Sequence, residues 1–135
     1  MIVVDTNVIS EMMRERPNPT VLAWADAVGK LHTTAVTFAE VDYGIVRMPD
    51  GRRKRRLAAT AAEVFGEFDD VVLAFDARAA RRYGAIVVSR ERSGRAIATA
   101  DAQIAAICAS RRATLATRNT EDFEGTGIEL INPWE

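Results

Sequence analysis

Cysteine and histidine occur once each in these 135 residues, and lysine only twice, at Lys30 and Lys54. A lone cysteine, Cys108, excludes an internal disulfide scaffold and suits a reducing compartment, where it reads as a small buried apolar side chain. With Cys108 and His32 as the sole soft or imidazole donors, a zinc site lacks its ligands. His32 lies in an apolar stretch and reads as a packed core residue. No apolar run approaches membrane-spanning length, and Asp5 interrupts the first run too early for a signal-peptide core. The expectation is a cytoplasmic protein without membrane contact.

An excess of charge of one sign is missing too. The formal net charge is -1, so no global positive field draws nucleic acid. Locally, Arg52, Arg53, Lys54, Arg55 and Arg56 stand in succession as candidate nucleic-acid contacts, with a solvated helix face as the plain alternative. What is present, 48% hydrophobic and 27% charged residues, is the composition of an ordinary globular domain. The length allows one hydrophobic core without staples, so one domain over 1–135 is expected.

The chain opens on Ile2-Val3-Val4, a short continuous apolar run of the kind a central parallel strand shows, and ends it on an acid, Asp5. Residues 8–13 predict a short helix stopped at Pro17, and Thr20 to Val28 a second helix ended by Gly29. Leu31 to Val36 predicts a strand. Thr37 and Glu40 have the spacing of a capping box for a helix toward Arg47, whose Gly44 suggests a close approach by another element. The basic run opens the next helix, with an apolar stripe through Leu57, Ala61, Val64, Phe65 and Phe68. Val71 to Phe75 predicts a third strand, followed by a helix capped by Asp76 and a polar loop from Ser89 to Arg95. A helix from Ala98 or Thr99 carries Asp101 in its first turn. Thr114 to Thr117 is a fourth strand, Asn119 caps a short turn containing Asp122, and Ile128 to Ile131 is the last strand. Strands alternating with helices predict an α/β fold with a mainly parallel sheet covered on both faces.

Four acids recur at the ends of strands and starts of helices: Asp5, Glu40, Asp101 and Asp122. Each has an ordinary use as a cap or a helix-dipole partner. Jointly they are harder to explain that way, because the predicted topology brings all four toward the crevice at the carboxyl ends of the strands. Acids so close would repel and raise one another's pKa unless a cation offset them, and an all-oxygen pocket suits a hard ion such as Mg²⁺ or Mn²⁺.

Four motifs carry a resemblance: IVVDTNVISE, FAEVDYGI with Glu40, TADAQIAAI with Asp101, and ATRNTEDFEG with Asn119 and Asp122. In this order and with all four acids, the chain resembles the PIN-domain ribonucleases, especially toxins of the VapC and FitB kind, over essentially its whole length. The resemblance implies a Rossmann-like α/β/α sandwich and a Mg²⁺-dependent endoribonuclease, usually dimeric and paired with an antitoxin. Carried over by position, Asp5 and Asp101 match the principal metal-binding acids, and Glu40 and Asp122 the other two catalytic acids. Thr6, Thr117 and Asn119 match the small polar positions around them. The family also implies regulation by a small antitoxin, and an acidic pocket would receive a basic residue from such a partner, with apolar contacts expected near Ile9 and Met13. Trp24, Phe65 and Phe68 add a hint of a homodimer surface.

Two other classes compete. A Mg²⁺-dependent phosphatase of the haloacid-dehalogenase kind would need a second Asp where Asn7 stands and a downstream Lys; a response-regulator receiver also lacks its late lysine. The non-enzymatic alternative is an RNA- or protein-binding module of the same fold whose acids only cap helices.

Overall fold

Val3 and Val4 leave strand β1 (Ile2–Val4) on opposite sides, as alternation along a strand requires, and each joins a different core. The same split recurs in β4 (Thr114–Ala116), where Leu115 packs on one side and Ala116 on the other. In the computed structural model, which describes residues 1–135, β1 pairs in parallel with β4, and β4 with β5 (Glu129–Ile131). On the other side β2 (Thr33–Thr34) pairs in parallel with β3 (Val72–Leu73). A parallel bridge between Val3 and His32 joins the two groups, with the Val4 N–H donating to the His32 carbonyl at 2.8 Å. The full order is β3-β2-β1-β4-β5, the α/β arrangement expected from the sequence.

Six helices cover this sheet: α1 (Thr6–Met12), α2 (Pro19–Val28), α3 (Ala35–Val46), α4 (Arg52–Phe68), α5 (Ala77–Arg92) and α6 (Thr99–Arg111). One core gathers Val4, Val8, Ile9, Val21, Val41, Ile45 and Phe68 beneath α1 to α4. The other gathers Val3, Ile86, Leu115, Phe123 and the inner residues of α6. Ala102 and the run Ile104 to Cys108 are all buried, as a helix apolar on most sides must be, and Cys108 is the packed thiol expected. No helix is long and apolar enough to cross a membrane.

Several local expectations change. The second strand shrinks to Thr33–Thr34 because Thr34 caps α3, accepting from the Thr37 N–H at 3.1 Å. The capping box predicted at Thr37 and Glu40 is therefore absent: a threonine-rich run offers several caps, and the one at the end of the extended segment is used. Gly44 meets no atom within 4 Å of where a Cβ would stand, so it marks open space beside a cleft rather than a close approach. The loop predicted over Ser89 to Arg95 is helical through Arg92, because Arg90 is buried and finds backbone partners there. Phe68 is buried and Phe65 lies 3.8 Å, centroid to centroid, from Phe38, while Trp24 packs half-buried against the same core. These aromatics thus serve the chain's own packing. His32 is half-buried, with its Nδ1 buried and unpartnered.

Candidate active site

Strand order reverses direction at β1: β2 and β3 run off on one side, β4 and β5 on the other. The crevice beyond the carboxyl ends of β1 and β4 is therefore the switch point at which open α/β sheets bind ligands. Asp5 and Thr117 are the residues immediately after those two strands.

They meet across the sheet. The Thr117 hydroxyl donates to Asp5 Oδ2 at 2.8 Å, and Asn7 Nδ2 reaches the same oxygen at 3.2 Å and Thr117 Oγ1 at 3.1 Å. Asp5 Oδ1 accepts from the Thr6 N–H at 2.8 Å, so the acid does cap α1, but with one oxygen only. Asp5 is 4% exposed, and burial raises its pKa above the ordinary carboxylate value while the bonds from Thr117 and Thr6 work against the rise. The Thr6 hydroxyl donates to Glu40 Oε1 at 2.6 Å, linking the start of α1 to the middle of α3. Freed from the capping box, Glu40 is available to this cleft.

Asp101 stands half-buried in the first turn of α6, and its pKa is pushed up to about 6. Burial is the largest cause, followed by the charges of Asp5, Glu40 and Asp122, with Arg90 opposing. All four acids are thus within electrostatic reach of one another. Asp122 is exposed on the 3-10 turn Thr120–Phe123. A cleft of about 560 Å³ is lined by Asp5, Glu40, Asp101 and Asp122, and Trp134 is its only apolar wall. Asn119 also lines it, but its side chain makes no cap bond; its N–H donates to Thr117 Oγ1 at 3.1 Å instead. Thr117 therefore holds Asp5 and the start of the turn at once.

The donor set is oxygen throughout, as a hard divalent ion requires. No three of the acids close into a tight cage, and Mg²⁺ does not need one, since it is held by one or two carboxylates and keeps several waters. The residues present fit such an ion.

Sequence reasoning missed six residues that line this cleft, Ser10 and Trp134 among them, and the other four carry its remaining hydrogen bonds and charge. Asn7 ties Asp5 to Thr117 and accepts from the Arg118 N–H at 3.1 Å. Its place directly after Asp5 and Thr6 was the available signal. Glu11 is a fifth acid on the wall, 5% exposed, accepting from the Asn18 N–H at 3.1 Å and paired with Arg14 at 3.3 Å. Arg14 and Arg118 are the cations on the rim, the latter 5.2 Å over the Trp134 ring. Nothing in their spacing distinguished them from other surface arginines.

The basic run divides. Arg53 and Arg56 line a second, larger cleft of about 800 Å³, which shares Thr6, Ser10, Arg14 and Glu40 with the acidic one. Lys54 is tied back to the Val46 carbonyl and Asp50, both at 3.0 Å, while Arg52 and Arg55 are exposed and line neither cleft.

A family profile described as "PIN domain" matches residues 2–128. The chain belongs to the PIN-domain family. It is 41% identical to the "VapC ribonuclease Y4jK" of Sinorhizobium fredii, over 100% of this chain and 99% of that protein. It is 35% identical to "Toxin FitB" of Neisseria gonorrhoeae, over 99% of each. Among solved structures, FitAcB from Neisseria gonorrhoeae superimposes with a TM-score of 0.89 at 35% identity, covering 100% of this chain and 99% of that one. VapBC2 from Rickettsia felis, at 21% identity and a TM-score of 0.82 over 98% of each chain, shares the fold.

Proposed function

We propose that this protein is a Mg²⁺-dependent endoribonuclease, with Mn²⁺ able to substitute, and the toxin of a type II toxin-antitoxin pair. One observation carries the reading: Asp5, Glu40, Asp101 and Asp122 line a single cleft at the switch point, where burial and then their mutual charge lift Asp101 to about 6. The 41% identity to a VapC ribonuclease over the full chain supports it. Asp5 and Asp101 would hold the ion, and Glu40 and Asp122 would orient water around it. A bound Mg²⁺ supplies a more acidic water and offsets the charge that builds on the phosphate oxygens. Thr117, Asn7 and Thr6 fix the two carboxylates they touch, so that little reorganisation is left for the reacting complex. Arg14 and Arg118 on the rim offset the acids' repulsion of RNA. Arg53 and Arg56 extend that cationic path along the larger cleft.

Five cations at the start of α4 stand at the positive end of its dipole, where they are unfavourable, and an anionic partner would compensate. An uncleaving RNA-binding module, the alternative from the sequence, accounts for the cap that Asp5 Oδ1 makes on α1 but gives no use to the gathering of four acids around one cleft. Incubating the protein, freed of any partner, with structured and unstructured RNAs in Mg²⁺, Mn²⁺ and chelator tests the reading. Cleavage in either metal, absent in chelator and in D5N and D101N, is the expected result. Full activity of both variants, or cleavage in chelator, overturns it.

A solved structure of VapBC-5 from Mycobacterium tuberculosis, 25% identical to this chain with a TM-score of 0.67, is described as a member of the "VapBC family of toxin-antitoxin systems". By the same token the partner proposed here is a small antitoxin that inserts an Arg or Lys among the acids. Its apolar residues would lie in the larger cleft on Met12, Met13, Ile45, Met48 and Leu57. Ile9, expected to contribute, is fully buried and does not. We further propose one PIN domain over 1–135, a cytoplasmic location and a homodimer. Tyr43 and Val46 on α3, the most exposed large apolar side chains, are candidates for that dimer's surface. A mass near 14.8 kDa by light scattering at micromolar concentration would exclude the dimer.

A further inference from the structure

Arg90 is the one cation that the fold buries, 5% exposed near the end of α5. A guanidinium leaves water only where its donors find acceptors, because unpaired burial is costly. Its Nε donates to the Arg95 carbonyl at 2.6 Å, and its Nη1 to the carbonyls of Glu124 at 2.7 Å and Glu121 at 3.3 Å. Those last two carbonyls bracket Asp122. Arg95 adds a second grip: its Nη2 donates to the Glu121 carbonyl at 2.8 Å and its Nη1 pairs with the Glu124 carboxylate at 3.1 Å.

The turn that carries Asp122 has little of its own to fix its shape. It spans four residues and has no side-chain cap; the Asp122 N–H bonds to the Asn119 carbonyl at 3.0 Å, and the Glu124 N–H reaches the Glu121 carbonyl at a long 3.4 Å. None of the hydrogen bonds that hold Asp5 and Glu40 extends to the Asp122 carboxylate. Its place is therefore set by the backbone, which is held at its start by Thr117, in the middle by Phe123 in the core with Thr126 on the Phe123 carbonyl, and on either side of Asp122 by the two arginines.

We propose that Arg90 is a positioning residue for the acidic cleft, fixing the Asp122 carboxylate by clamping the carbonyls on either side of it, with Arg95 closing the outer side. The inference rests on the nuclease reading of that cleft. Arg90 is a partner for the turn that a buried apolar side chain would not be, since its donors satisfy carbonyls there and it brings a positive charge toward the acids.

A double-mutant cycle tests the clamp. Arg90→Met keeps the bulk and removes the donors; Arg90→Lys keeps a charge and part of the hydrogen bonding. In R90M, kcat for RNA cleavage and Mn²⁺ affinity by calorimetry are expected to fall about 10- to 100-fold. KM for RNA should stay within about twofold, because the phosphate contacts are untouched. R90K should recover part of both losses. If Arg90 acts through Asp122, R90M added to D122N costs nothing more than D122N alone. Losses that multiply, an R90M protein equal to the parent, or a D122N protein equal to the parent each overturn the proposal. Should R90M fail to fold, R95A, at a half-exposed side chain, runs the same cycle with a smaller loss, and multiplying losses there overturn it equally. A parent that binds Mn²⁺ but cleaves no RNA overturns the nuclease reading alone, because the Mn²⁺ arm still tests the clamp.

Discussion

Asp101 titrates near pH 6 because burial and three neighbouring acids disfavour its charge, and that ties the stability of the metal-free protein to pH. Its folded pKa lies above the ordinary 3.8, so the folded state binds the proton more tightly than the unfolded chain. The contribution is fully present below 3.8 and is lost as pH rises through about 6. Asp5, also raised, acts in the same direction. At face value the Asp101 shift is worth about 3 kcal/mol; the carboxyl is half-exposed, and solvent screening reduces this to about 1 kcal/mol. Chemical denaturation of metal-free protein between pH 4 and 7.5 should therefore show stability falling as pH rises. In D101N that fall should shrink, and saturating Mg²⁺ should restore the parent at pH 7.5. A parent whose stability climbs across this range would contradict the crowding of the four acids.

At the scale of elements, α4 puts the basic run to uneven use. Arg53 and Arg56 face the larger cleft, whereas Lys54 is occupied by Val46 and Asp50 and the other two point to solvent. Neutralising Arg53 and Arg56 together should lower the salt dependence of RNA binding by about 1.4 in log-log slope, two contacts at about 0.7 each for a single strand. The same change at Arg52 and Arg55 should leave the slope nearly intact. The cleavage site should not move in either variant, because phosphate contacts position without reading bases. Equal slopes for the two variants would return the whole run to a solvated face. The helix boundaries of α5 matter in the same way: its last turn, read as a loop from its polarity, is what carries Arg90 to the Asp122 turn.

For the whole molecule, the two clefts share Thr6, Ser10, Arg14 and Glu40, so a partner lying in the larger one reaches the acids without a change of fold. Metal and a partner's cation would then compete for the same charge. Raising Mg²⁺ should weaken the copurifying partner, and D101N should weaken it at least about tenfold, the equivalent of about 1.4 kcal/mol. Measured by calorimetry or surface binding, indifference to both changes would locate inhibition elsewhere on the surface.

The sequence by itself determined the sheet, the helices over it and the four acids, because periodicity and strand-end acids are local signals. Ile2 to Val4 had to be a buried strand, and Asp5 had to emerge from its end. It did not determine which threonine caps α3, since Thr33, Thr34 and Thr37 offer nearly the same local chemistry; only the end of pairing with β3 selects Thr34. Nor did it mark Asn7 or Arg90, whose partners Thr117 and Glu124 lie 110 and 34 residues away in sequence. Those contacts exist only because parallel pairing brings the ends of β1 and β4 side by side and packs α5 against the turn before β5. A carboxylate can be found by its position after a strand. What holds it at a given angle is decided by groups that meet it through the tertiary fold.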